Sequence, residues 1–144
     1  MIKFEINQQS GPKISNHYWS KWSGQLTSIL KLKKDLEISV GIVGETRMRV
    51  LNKHYRRQNK VTDVLSFGER DVAGDFRDFD GYLGEIIICY PQALRQAHKA
   101  SRPVIKEIEW LLVHGCLHLL GYDHQTDRQE AAMRELEQKI TKVG

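Results

Sequence analysis

The stretch His114-Gly115-Cys116-Leu117-His118-Leu119-Leu120-Gly121-Tyr122-Asp123-His124 organises the reading of this chain. Its histidines stand at offsets of zero, four and ten. Upstream, Ile105, Ile108, Leu111 and Leu112 recur at helical spacing and predict a helix through the region. On a helix, residues four apart share a face, so His114 and His118 can reach one ion. Gly121 follows three residues after His118, where glycine commonly ends a helix by taking a left-handed conformation. The chain would turn there and bring His124 back toward the other two. Three neutral nitrogen donors and one open position form the pattern of a catalytic zinc site, so one zinc ion per chain is expected. Two histidines four apart are by themselves a weak signal. The third, returned by a glycine stop, strengthens it, and half of the six histidines fall within these eleven residues.

The spacing matches the protease motif H-E-x-x-H-x-x-G-x-x-H, in which the glutamate after the first histidine is the general base. Here that position is Gly115, which has no side chain to take a proton. The metal-binding pattern is kept and the protease's base is not, which makes a peptidase the weaker reading.

The eleven residues resemble the signature H-G-x-L-H-L-x-G-Y-D-H of the YbeY family, metal-dependent bacterial endoribonucleases of ribosomal RNA maturation. A second stretch is similar to the family's L-N-x-x-Y-R followed by P-T-D-V-L-S-F-P: Leu51, Asn52, Tyr55 and Arg56, then Thr62 to Phe67. Val61 and Gly68 stand where the family commonly has proline, which bears on loop rigidity more than on chemistry. Leu83-Gly84-Glu85-Ile86 is similar to L-G-D-I, with glutamate for aspartate. The resemblance implies an enzyme: a single-strand-specific endoribonuclease of small-subunit rRNA processing and ribosome quality control, with ribosomal RNA and ribosomal proteins as partners. It also makes Arg56 the functional arginine near the metal, with Arg57 as the alternative. An arginine's planar fork suits phosphate oxygens and offsets charge building on phosphorus. The general base is left unassigned, since Gly115 cannot serve and Asp123 is placed to orient a ligand histidine or shape the turn. Two other classes stay open: a peptidase or amidase, and a non-catalytic, zinc-stabilised ribosome-assembly factor.

Composition agrees with a soluble domain. A length of 144 residues suits one domain, 1–144, with a real core. An apolar share of 40% and a charged share of 28% are ordinary for a globular protein. No apolar run approaches a membrane span, and the start lacks the apolar region of a signal peptide, so a cytoplasmic protein without a membrane partner is expected. Cys89 and Cys116 form no C-x-x-C pair; both should stay reduced, with Cys116 a core residue rather than a ligand. The net charge of +4 hides an asymmetry, because residues 1–60 carry twelve Lys/Arg against four Asp/Glu. That basic portion fits a polyanionic partner such as nucleic acid.

The remaining pattern predicts an α+β fold, one mixed four-stranded sheet packed with about five helices. Strands are expected at Ile2–Ile6, Leu36–Val43, Thr62–Phe67 and Leu83–Cys89. Ile86-Ile87-Ile88 marks a central strand buried on both faces. Helices are expected over 16–34, with Trp19 and Trp22 as core rather than a base-stacking surface, and over 46–55, with Met48, Leu51 and Tyr55 inward. Others follow at 91–100, from Ser101 as cap with Pro103 in the first turn to Leu120, and from Thr126 as cap, with Gln129 placed for a capping box, to about 141. Residues 69–82 read as a polar surface loop. Strand order, oligomeric state and cleavage site do not follow from the sequence.

Overall fold

The structure is a computed structural model describing residues 1–68, 80–122 and 126–143. In chain order its elements are β1 (Ile2–Gln8), α1 (Asn16–Ile29), β2 (Leu36–Val43), α2 (Glu45–Arg56), β3 (Val64–Gly68), β4 (Gly81–Cys89), α3 (Tyr90–Lys99), α4 (Val104–Leu119) and α5 (Asp127–Val143). The expected fold class holds. The sheet order is β1-β2-β4-β3, with β1 and β4 parallel to β2, and β3 antiparallel to β4. β3 is therefore an edge strand, and β4 is central.

Alternation along β4 explains its unbroken isoleucines. Ile86 and Ile88 enter the main core with α1, α4 and α5, while Ile87 and Cys89 enter a smaller core with Val43, Met48 and Leu65. All of these are buried. Burial on both faces selects apolar residues at consecutive positions. Trp19 and Trp22 are buried on α1 as expected, and Trp22 is fully enclosed.

Several boundaries differ from the sequence reading. α1 stops at Ile29 rather than 34 because Lys31 takes a left-handed conformation, φ 54°. The N–H of Leu32 then bonds Thr27 O and that of Lys31 bonds Ser28 O, a Schellman closure without glycine. Ser101 does not cap α4. It is the left-handed residue closing α3, with Ser101 N–H on His98 O and Arg102 N–H on Ala97 O. Pro103 takes the N-cap position of α4, ahead of its first turn. Four residues separate α3 from α4, and ending the first helix uses the serine that would have opened the second. Tyr55, expected inward, is 56% exposed. Thr126 caps α5 as expected, its Oγ1 accepting the Gln129 N–H at 3.2 Å.

Candidate metal centre

α4 crosses the sheet at its β4–β3 side, and a glycine sets the distance of approach. A Cβ built on Gly115 would stand 2.9 Å from Ile86 Cγ2, and Ile86 is fully buried. The position occupied by the base in the protease motif thus presses onto the sheet, on the side away from solvent. A Gly115→Ala variant gains about 1 kcal/mol of helix propensity and meets an overpacking cost of about 1–3 kcal/mol. A net loss near 1 kcal/mol is expected, a fall in Tm of roughly 3–4 °C in a thermal melt. A raised Tm would contradict the close approach.

With Gly115 inward, His114 and His118 fall together on the half-buried flank of α4. Their ring centroids are 4.7 Å apart. Past them the helix ends in a Schellman closure on Gly121, φ 98°, with Tyr122 N–H on Leu117 O and Gly121 N–H on His118 O. The glycine stop is as read from the sequence. His124 and Asp123 lie outside the described residues. Among the described residues, no group of three His, Cys, Asp or Glu is arranged as a ligand set.

Glu137 on α5 is the partner that sequence reasoning missed. It is buried, and its Oε1 stands 2.7 Å from His114 Nδ1. A carboxylate there accepts the Nδ1–H, which fixes the tautomer that carries a lone pair on Nε2. The available signal was position: Glu137 lies four residues after Met133 and three before Ile140, both buried on the inner face of α5. The two imidazoles, one held by a buried carboxylate, suit zinc or another imidazole-binding metal.

Cys116 is fully enclosed in the core, and burial pushes its thiol far up, so it stays protonated and apolar in behaviour. Burial raises Cys89 as well, and both cysteines are unbridged. Glu107, two turns before His114, is occupied structurally. Arg102 pairs with it, and Gln96 Nε2 donates to it at 2.9 Å and to Asp63 Oδ2 at 3.2 Å, tying α3, α4 and the start of β3 together.

A cavity of about 370 Å³ opens over the imidazoles, lined among others by Arg56, Lys60, Thr62, Ser66, His114 and His118. The basic segment after α2 forms its opposite wall. Arg57 takes a left-handed conformation that ends α2. Buried Asn52 then holds the following loop, its Nδ2 donating to Lys60 O at 2.9 Å. Arg56 Nη2 donates to Ser66 O at 3.3 Å on the edge strand. The structure therefore brings Arg56 to the same cavity as His114 and His118. Arg56 and Lys60 are cationic, and no described lining residue is a carboxylate. Such a cavity attracts an anion.

The model of the family described as Endoribonuclease YbeY matches residues 4–143. An Endoribonuclease YbeY of Geobacillus thermodenitrificans is 38% identical over 128 residues, covering 83% of this chain and 81% of the relative. One from Syntrophomonas wolfei is 35% identical over 120 residues, covering 80% and 77%. The solution structure of a Thermotoga maritima protein superposes with a TM-score of 0.65 at 28% identity, covering 99% of this chain and 87% of that one. No helix among the described residues is long and apolar enough to cross a membrane.

Proposed function

The chain belongs to the YbeY family of endoribonucleases, and from that premise we propose that it is a zinc-dependent hydrolase that cuts single-stranded RNA in small-subunit rRNA processing and ribosome quality control. The observation carrying the mechanism is the shared cavity, lined by imidazoles on α4 and by an arginine on α2 that is hydrogen-bonded to the edge strand. His114 and His118 would hold the ion, with His124 as the third ligand required by the sequence pattern. When bound, zinc supplies Lewis acidity that activates water near neutral pH. Glu137 holds the ring of His114 in one orientation and one tautomer. The Ser66 carbonyl takes one N–H of Arg56 and restricts the guanidinium, whose other donors suit phosphate oxygens. Arg56 then offsets charge that builds on phosphorus, and Lys60 adds attraction for the backbone. Gly115 has no side chain to take a proton, so no proton transfer passes through that position.

The decisive measurement is cleavage of single-stranded oligoribonucleotides by the whole protein, with and without chelator. Cutting that chelator abolishes and added zinc restores is expected, with casein left intact. RNA binding without metal-dependent cutting would instead identify a non-catalytic assembly factor. Casein digestion would identify a peptidase.

A further inference from the structure

Four large apolar or aromatic side chains among the described residues are prominently exposed: Met1, Val50, Leu94 and Tyr55. Tyr55 is the only aromatic of the four, and it adjoins Arg56 in the sequence. Its ring is not loose. The Phe67 ring stands 4.6 Å away at 46°, and the His54 ring 4.6 Å away, edge-on at 89°. Phe67 is packed in turn against the smaller core. A tyrosine backed in this way is restricted in orientation while more than half of its surface stays open to solvent.

We propose that Tyr55 is a stacking platform for an unpaired nucleobase next to the phosphate that Arg56 receives. The inference deepens the endoribonuclease reading and rests on it. Two adjacent pairs of residues carry the geometry. Arg56 donates to the carbonyl of Ser66, and Tyr55 leans on Phe67, the next residue along the edge strand. Side chains alternate along a strand. Val64 packs into the core on the α4 side, while Leu65 and Phe67 belong to the core on the α2 side. An RNA chain leaving the histidine cavity past Arg56 thus meets the Tyr55 ring on the other side of β3. Arg56 and Lys60 line the cavity, Lys53 and Arg57 are exposed in and just after the last turn of α2, and such cations complement a phosphodiester backbone. Base–aromatic stacking tolerates any base sequence but requires a base freed from its neighbours. A duplex keeps its bases stacked inside, so the platform favours single strands.

The test uses the full-length protein and an oligoribonucleotide carrying one fluorescent 2-aminopurine beside the cleaved phosphate. Binding is read by quenching of that base on chelator-treated protein, and turnover on zinc-loaded protein. The wild type should quench the base. Tyr55→Leu, which keeps apolar cover over Phe67, should lose the quenching, bind about tenfold more weakly and raise KM with little change in kcat, the pattern of lost uniform binding. Tyr55→Phe should restore quenching and affinity. A duplex of the same sequence should not distinguish the variants. Wild-type protein should also lose about tenfold toward an oligonucleotide abasic at that position, an arm that requires no variant to fold. If wild type cuts RNA while Tyr55→Leu and the abasic substrate behave like their parents, the platform is wrong and the endoribonuclease reading stands. If the zinc-loaded wild type does not cut single-stranded RNA and the chelator-treated wild type does not bind it, the endoribonuclease reading fails and the platform with it.

Discussion

A His114→Ala protein should purify without its zinc and cut RNA no faster than buffer. His114 is one of only three imidazoles expected at the ion, and a two-histidine remnant leaves too few strong donors to hold zinc. The result has a second readout, independent of turnover. Zinc that binds only the folded protein adds stability by mass action, about 2.7 kcal/mol at a hundredfold excess over Kd. The wild-type melting temperature should therefore rise with zinc, and that of His114→Ala should not. Glu137→Ala gives the graded companion result. It leaves the ligand in place but removes the carboxylate 2.7 Å from Nδ1, so zinc affinity should fall about 10–100-fold. Glu137→Gln retains an oxygen that accepts the same hydrogen bond and should lose less. Wild-type zinc content and turnover in His114→Ala would remove this helix from the metal site.

The ease with which such residues were read from the sequence differs for physical reasons. The α4 histidines were legible because a helix converts a spacing of four into a shared face, and Gly121 announced the turn that ends it. The four strands were legible from alternation and from the unbroken Ile86-Ile87-Ile88 run, which burial on both faces explains. Left-handed closures on Lys31 and Ser101 were not, because neither residue type signals that conformation; the surrounding structure imposes it. Glu137 was missed because it pairs with a residue 23 positions away, and no local pattern encodes such a contact. Helical periodicity predicts Tyr55 inward, whereas its ring lies over Phe67 with most of its surface open to solvent. Arg56 required the family resemblance: its cavity is assembled from α2, β3 and α4, and their proximity depends on a strand order that the sequence leaves open.

Arg56→Glu should retain its zinc and its fold yet cut RNA about 10²–10³-fold more slowly. Removing one well-placed donor to developing charge accounts for a loss of that order. The glutamate adds repulsion, because it places a carboxylate in a cavity that has none among its described lining residues. Stability should fall by no more than about 1 kcal/mol, since the arginine is exposed, its described bond is a single one to Ser66 O, and the charge reversal falls in the last turn of α2. Arg56→Lys separates the two parts of the role. Lysine restores the charge as a compact ammonium without the planar fork, so it should recover part of the rate lost in Arg56→Glu and fall short of wild type. Elemental analysis alongside single-turnover kinetics on the same samples makes the comparison direct. Zinc loss in Arg56→Glu would make the arginine part of the metal's support, and cleavage at the wild-type rate would remove it from the chemistry.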